Sequence, residues 1–481
     1  MFIRPVANTI GKLVIAQGAM MAGPALIDWW QGNPQWQVFG LAGLLVVLIG
    51  TLMSIATRGG DGSMTIRQGF LLASGTWLVL PAFGALPFMM GEPALGPTDA
   101  VFEAMSGMTT TGTTVFDAID GLPDGVKLWR ALLQWMGGLG IVVVAVGFLP
   151  AMRVGGMQFF RSEGFDIGAK DLPRVGDIAV EMTSVYVGLT MACMLVFNMF
   201  GMSGFDALIH ALATCSTGGF GGHDTSFGHY PGAVQYAAAF FMFAATTPFI
   251  RMGQAFRGEI APILHDSQIR AYLRWTVWAI LLILAYRILY MGARDLPAVL
   301  RETVFNTVST FSGTGFTAGD VPGWGHLPLA VLFITGLIGG CTGSTGCSVK
   351  VFRYQVLFQA VRAQIRRMHS PHRVYPVRLD GRPLTRDVID SVMSFFAMFM
   401  LSFGVLIVGL ALTGLHPLTA LTGAWTAIAN IGPVWGPEIT RNGSVALLPP
   451  SAKWLMAFGM YLGRLELIAV FVLLMPRFWR S

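Results

Sequence analysis

The sequence predicts an all-α polytopic membrane protein in which two N-terminal transmembrane helices precede four internal repeats. Three observations carry this prediction. Of 481 residues, 54% are hydrophobic and 12% charged, against about 25% charged in an ordinary soluble domain, and the mean hydropathy is +0.63. Apolar runs approaching the roughly 20 residues of a spanning helix recur along the whole chain. Between them lie four short uncharged clusters, "MTTTGTT" (108–114), "CSTGGFG" (215–221), "FSGTGFT" (311–317) and "ANIGPVW" (429–435).

The apolar runs cover 10–30, 36–57, 67–90, 128–152, 178–202, 232–250, 271–292, 327–338, 388–412 and 451–475. The first follows a basic start but continues to Trp29–Trp30 with no small-residue cleavage site, so it reads as a retained helix and not a signal peptide. The eighth stops early, in "GGCTGSTGCSVK" (339–350). Four semi-polar segments, 99–116, 205–222, 301–318 and 419–434, are too short to cross and break at the clusters; re-entrant half-helices fit them. Gly112, Gly218, Gly315 and Gly432 are separated by 106, 97 and 117 residues. A repeated unit of span, half-helix, glycine loop and span follows from that spacing, since four such loops seldom arise by chance. The chain then divides into two helices (1–60) and repeats at 67–153, 178–253, 270–367 and 387–480, the third with an interrupted second helix.

Composition also excludes. The four cysteines, Cys193, Cys215, Cys341 and Cys347, form no C-x-x-C pair, and the eight histidines no H-E-x-x-H. With no G-x-S-x-G or G-x-G-x-x-G either, a disulfide framework, a zinc site and soluble-enzyme chemistry are unsupported. The net charge of +6 calls for no nucleic acid. With ten crossings both termini share one side, which holds 23 of the 31 Lys and Arg, while the glycine-loop side holds seven. The positive-inside rule puts the termini in the cytoplasm and the glycine loops outside.

A monovalent cation entering a membrane must shed water, at an idealised cost on the order of 20 kcal/mol. Backbone carbonyls can replace that water without holding the ion too tightly, because they are dipoles and not full charges. Glycine permits the dihedrals such a lining needs, small hydroxyls add oxygens, and half-helix C-termini supply negative dipole ends. The clusters therefore read as four walls of one selectivity filter: Thr110, Thr111 and Gly112; Ser216, Thr217 and Gly218; Gly313, Thr314 and Gly315; Asn430, Ile431 and Gly432. Glycine and threonine are also common in ordinary turns, but four turns each preceded by an apolar half-helix are a poor alternative.

The stretches "TTTGTTVF", "STGGFGGHD", "SGTGFTAGD" and "NIGPVWG", with "QWMGGLGIVV" (134–143), "GGCTGSTGCSVKVFR" (339–353) and "GRLEL" (463–467), resemble the Trk/Ktr/HKT superfamily of potassium transporters, most of all the membrane subunit of bacterial Trk systems. The resemblance runs almost end to end. It implies four covalently joined M1–P–M2 units around one pore, potassium as the transported substrate, and potassium preferred over sodium where a glycine occupies all four filters. The second filter carries an extra Gly219, and the fourth departs most, with Asn430-Ile431 and Pro433. That asymmetry motivates the alternative of a sodium or poorly selective cation pathway; a polytopic membrane enzyme is a more distant alternative.

Below the filter, the four glycines in 339–348 rule out a continuous helix. Such backbone survives in a bilayer only when buried in protein or lining water. It is not a P-loop, because Lys350 lies too far from Gly346. The resemblance implies an intramembrane gating loop here, assigning gating to Gly339, Gly340, Gly343, Ser344, Thr345, Gly346 and Lys350; Cys347 and Ser348 stand where relatives usually have glycines. Arg464 lies 11 residues from Lys453 and 13 from Arg477, about 17–20 Å from each end of a continuous helix, too far to snorkel easily. A midplane charge costs at least about 2.5–3.5 kcal/mol, so Arg464 requires a partner or a water-filled pore. Glu466, about 200° further round such a helix, requires a partner of its own. The resemblance makes Arg464 a cationic barrier under the filter and part of the gate.

Acidic residues near the clusters (Glu92, Asp99, Asp117, Asp120, Asp124, Asp224, Asp295, Asp320 and Glu438) suit either cation concentration at a mouth or ordinary solvated loops. Glu103 and His210 suit local backbone groups. Segment 350–386 holds nine basic residues against one acid, Asp380, a surface for anionic headgroups or a partner. The resemblance implies a homodimer in the bacterial inner membrane and a cytosolic ring of nucleotide-binding regulatory subunits. No covalently bound cofactor is expected, and any nucleotide acts through that partner.

Overall fold

A computed structural model describes residues 3–58, 65–147, 156, 172–370 and 375–479. The predicted boundaries at 60 and 153, the far end of the 128–152 run, most of the basic loop 153–174 and Arg480 lie outside them. Among the described residues everything regular is helical except a two-residue hairpin pairing Arg378–Leu379 with Arg382–Pro383.

The N-terminal pair is α1 (Arg4–Met20), continued by α2 (Ala22–Trp30), and α3 (Trp36–Ala56). Glycines seven apart on each helix form their seam. A Cβ on Gly11 would lie 3.0 Å from the Gly50 carbonyl oxygen, and one on Gly18 3.0 Å from that of Gly43. Small residues let two helix backbones approach this closely.

The first repeat is α4 (Ile66–Gly84) with α5 (Leu86–Met90), the half-helix α6 (Pro97–Met108) and α7 (Asp124–Gly147). The second is α8 (Leu172–Met199), half-helix α9 (Gly204–Cys215), α10 (Gly232–Ala245) and α11 (Phe249–Phe256); a short α12 (Ala261–His265) follows. The third is α13 (Ser267–Leu289), half-helix α14 (Leu296–Ser312), α15 (His326–Ile338) and α16 (Val351–His369). The fourth is α17 (Arg386–Leu412), half-helix α18 (Pro417–Ala429), α19 (Pro450–Arg464) and α20 (Ile468–Leu474), with a terminal α21 (Pro476–Trp479). Starts follow local chemistry: Thr65 and Gln68 form a reciprocal capping box on α4, and Ser203 and Asp266 cap α9 and α13.

Among the described residues six helices are long and apolar enough to cross a membrane, or up to eight if each bent pair counts as one span. Among the described residues the ten predicted runs fall on helices, but two of them are sharply bent. The run 232–250 bends by 105° between α10 and α11, and 451–475 by 108° between α19 and α20. The second bend corrects the placement of Arg464 inside an unbroken helix. It is the last residue of α19, and Glu466 and Leu467 follow at φ +55° and +51°.

The half-helices sit at the centre. From Phe102 to Met108, Ile209 to Cys215, Phe305 to Ser312 and Thr422 to Ala429 every residue is buried. Around them α3 and α17 leave Leu41, Leu44, Leu401, Val405 and Val408 exposed, the pattern of helices whose outer faces meet lipid and not water.

Candidate functional site: a closed ring of four glycine hairpins

Each half-helix ends in the same way. The backbone N–H of Thr111 donates to Ser106 O (2.8 Å), Gly218 to Ala213 O (2.8 Å), Thr314 to Ser309 O (2.9 Å) and Ile431 to Thr426 O (3.2 Å). This bond across five residues is the outer bond of a Schellman stop, which puts the preceding residue in the left-handed region. That residue is Thr110 (φ 54°), Thr217 (52°), Gly313 (81°) and Asn430 (52°). Left-handed φ recurs two residues later, at Gly112 (88°), Gly219 (81°), Gly315 (85°) and Gly432 (99°). Only glycine takes such values freely, and the two β-branched threonines are held there against their preference.

This equivalence corrects the second hairpin by one residue. The counterpart of Thr110-Thr111-Gly112 is Thr217-Gly218-Gly219, not Ser216-Thr217-Gly218. Ser216 instead ends α9, its hydroxyl donating to Leu212 O at 2.8 Å. With two adjacent glycines the sequence could not decide which takes the left-handed position; the Schellman bond decides it.

The hairpins form a closed ring. A side chain on Gly112 would collide with the carbonyl oxygen of Gly218, one on Gly219 with that of Thr314, and one on Gly315 with that of Ile431. One on Gly432 would lie 2.8 Å from that of Thr111. The order of contact is thus repeat one, two, three, four and back to one. The carbonyls involved are the four at the equivalent middle position. Alternating signs of φ along a short segment turn successive carbonyls to one side of the chain, the arrangement that lets main-chain oxygens replace a cation's hydration shell.

Buried side chains tie the ring together. Asn430 Nδ2 donates to Thr111 Oγ1 (2.9 Å) and to Met460 O (3.0 Å), and Thr113 Oγ1 donates to Gly432 O at 2.8 Å. Glu103 accepts from Val115 N (2.9 Å), from the Thr114 hydroxyl (2.9 Å) and from Arg130 Nε (2.8 Å). His210 Nε2 accepts from Gly222 N at 3.1 Å. Both thus serve local backbone, as anticipated; the buried pairing of Glu103 with Arg130 was not anticipated.

Beneath the ring, segment 339–350 is irregular and buried apart from the half-buried Ser348. It docks on the bend of the second repeat: Cys341 N donates to Thr246 O (3.0 Å), Phe249 N to Gly343 O (3.0 Å), and Thr345 Oγ1 to Ala245 O (2.9 Å) and Cys215 O (3.1 Å). Gly339 stands at φ 76°, and a Cβ on Gly340 would lie 2.9 Å from the Thr246 side chain. Ser344 and Gly346 close the turn, the serine hydroxyl donating to Cys341 O (2.7 Å) and accepting from Gly346 N (3.2 Å).

The far end of the segment meets the bend of the fourth repeat. Lys350 Nζ donates to Glu466 at 2.8 Å, and Arg353 binds the other carboxylate oxygen while lying over the Phe395 ring. Arg464 donates to Cys347 Sγ and, at 3.0 Å, to Gly137 O. Cys347 Sγ lies 3.7 Å from Thr110 Oγ1 in the first hairpin. Arg464 and Glu466 therefore do have separate partners, though through the bend and not through opposite faces of a helix. Three interrupted second helices converge here, and Cys347, held by Arg464, lies against the first hairpin at Thr110.

In the loops flanking the hairpins most of the acids hold local partners. Asp99 binds Lys453 (2.7 Å), Asp224 accepts from Ile119 N (2.5 Å), Asp295 caps α14, and Glu438 accepts from His416 N (2.8 Å) and the Thr419 hydroxyl. Asp120 pairs with His223 Nδ1 at 2.7 Å. Burial would raise the Asp120 carboxyl, but the hydrogen bond and charge of His223 outweigh it and hold the carboxyl below its usual range. The Glu438 carboxyl is lowered chiefly by the Thr419 hydroxyl.

A family model described as TrkH, cation transport protein, matches residues 35–268 and 267–481. The chain belongs to the TrkH cation transport family. TrkH-family relatives include the Trk system potassium uptake protein TrkI of Halomonas elongata, 37% identical over 99% of this chain and 97% of that one. The Trk system potassium uptake protein TrkH of Escherichia coli K12 is 33% identical over the whole of both chains. The crystal structure of the potassium transporter TrkH from Vibrio parahaemolyticus superimposes with a TM-score of 0.93 at 30% identity, covering all of both chains. The chain is accordingly a multi-pass membrane transport protein and not an enzyme.

Proposed function

We infer that this chain carries potassium into the cell across the bacterial inner membrane, along one axis through the ring of hairpins. The single observation that supports this reading is the ring: four equivalent carbonyls, each seated against the glycine of the next hairpin, in one closed circuit. The filter consists of Thr110-Thr111-Gly112, Thr217-Gly218-Gly219, Gly313-Thr314-Gly315 and Asn430-Ile431-Gly432. The half-helix C-termini aim their negative dipole ends toward it.

Segment 339–350 is the gate, with Arg464 as a cationic barrier beneath the filter; their mutual contact through Cys347 supports that assignment. Opening requires Cys347 to leave Arg464 and Lys350 to move with, or part from, Glu466. Both termini are cytoplasmic. The protein works as a homodimer, and a cytosolic nucleotide-binding ring acts on the basic face of 350–386. Its relatives among the Trk system potassium uptake proteins support potassium as the substrate.

The fourth hairpin supports a second reading, a poorly selective cation pathway. It carries Asn430-Ile431 where the first hairpin has Thr110-Thr111, and the Asn430 amide nitrogen ties it to Thr111 and Met460, so the fourth wall departs from the other three. Reversal potentials in mixed potassium and sodium separate the two readings. The direct test is isotope uptake in a potassium-uptake-deficient bacterium, wild type against Gly112→Ser. Loss of potassium discrimination in the variant is expected, and equal discrimination in the two overturns the filter.

A further inference from the structure

The second hairpin has the weakest internal support of the four. Residues 218–222 read Gly-Gly-Phe-Gly-Gly, so its ring carbonyl, on Gly218, belongs to a peptide flanked by two residues without side chains. Nothing local restrains that peptide from rotating, since glycine leaves both φ and ψ nearly free. The first, third and fourth hairpins carry Thr111, Thr314 and Ile431 at the same position.

The restraint comes from another repeat. Gln134, on α7 of the first repeat and fully buried, donates from Nε2 to Gly218 O at 2.5 Å and accepts at Oε1 from Phe220 N at 3.1 Å. The two bonds require opposite ends of the carboxamide, so together they fix its orientation. One turn earlier on the same face, Arg130 donates to Gly221 O at 3.2 Å and lies 4.2 Å from the Phe220 ring. The helix thus grips the second hairpin at three main-chain sites, Gly218 O, Phe220 N and Gly221 O.

This grip is not a general feature of the fold. Gly137 on α7 backs onto Met108 O, four residues before Gly112, and Gly463 on α19 backs onto Ile428 O, four residues before Gly432. The two helices therefore align with Gln134 opposite Met460. The fourth repeat places an apolar thioether where the first places a carboxamide, and the hairpin that follows it in the ring, the first, has Thr111 to restrain its own backbone.

We propose that Gln134 is a specificity-determining positioning residue: its carboxamide holds the Gly218 carbonyl in the ring and thereby sets discrimination between potassium and sodium. The inference rests on the filter reading above. A carbonyl oxygen has two lone pairs; Gln134 takes one and leaves the other for the ion. A fixed carbonyl cannot close in around a smaller cation, whereas a freely turning one can follow it.

The test uses the full chain reconstituted in liposomes, with radioactive rubidium as the potassium congener and sodium as competitor. Gln134→Met keeps the side-chain length and removes both hydrogen bonds. Gln134→Glu keeps the side-chain length and, when protonated, one donor and one acceptor. Sodium is expected to compete about tenfold better in the Met variant, the worth of roughly one hydrogen bond, and as in wild type in the Glu variant. Wild-type competition in Gln134→Met overturns the proposal, as does an equal loss in Met and Glu, which marks simple repacking. If Gln134→Met does not accumulate in membranes, Gln134→Asn, too short to reach Gly218, substitutes for it with the same expected loss. Gly219→Ser runs in parallel. Lost discrimination there beside an unchanged Gln134→Met sinks this inference alone, whereas wild-type discrimination in Gly219→Ser sinks the filter reading itself.

Discussion

Replacing Gly219 by alanine probes the ring at the position that sequence spacing assigned to its neighbour. Gly219 stands at φ 81°, and a Cβ there collides with the Thr314 carbonyl oxygen. The left-handed conformation alone costs a residue with a Cβ about 1–2 kcal/mol. Relief of the collision requires the Thr314 oxygen to retreat by on the order of an ångström to ordinary contact. Because the ring is closed, that retreat loads the next joint, where Gly315 already touches Ile431 O. A misplaced polar ligand costs about 1–3 kcal/mol, which converts to roughly one to two orders of magnitude in ion discrimination. The assay is rubidium uptake into liposomes over a sodium series, with oligomeric state and thermal unfolding checked on the same preparations. Wild-type discrimination in a folded Gly219→Ala protein would refute both the register and the ring.

Other outcomes follow from the same geometry. Glu466→Gln leaves Lys350 and Arg353 as buried cations without their carboxylate; destabilisation of about 3–5 kcal/mol is expected, read as a lower unfolding temperature in detergent. Arg464→Ala removes the charge that meets Cys347 below the ring and raises ion flux; unchanged flux at normal expression counts against a barrier. Asp120 has a folded carboxyl pKa below its usual value, so its contribution is present above the unfolded pKa, about 3.9, and fades as pH falls through the lowered value. Asp120→Asn therefore destabilises at neutral pH by under about 1 kcal/mol, as for an exposed pair, and the difference from wild type vanishes in acid; a pH-independent difference contradicts the pairing with His223.

Much of this protein was legible without coordinates because its strongest signals are one-dimensional. A spanning helix must satisfy its own backbone in lipid, so its length and apolarity are written in consecutive residues. A half-helix stop needs glycine or small polar residues at fixed places, so "TTTGTT" and "SGTGFT" announce themselves. The same logic found 339–350, where four glycines forbid a helix. It failed at bends lacking that mark. "TTP" at 246–248 was a readable warning of the break after α10, but nothing in "RLEL" distinguishes a continuous helix from one that turns through 108°.

Sequence by itself determined the order of the apolar runs and half-helices, the uncharged character of the hairpins and the need of Arg464 and Glu466 for separate partners. Those properties depend on side-chain chemistry and on neighbours a few residues apart. Tertiary structure decided which glycine of the pair 218–219 enters the ring, that Gln134 holds its carbonyl from another repeat, and that Glu466 answers Lys350 and Arg353 more than a hundred residues away. The physical reason is that a main-chain oxygen is identical at every residue. Which one faces a neighbour is set by dihedrals and by the closing of the ring, and neither is encoded at any single position.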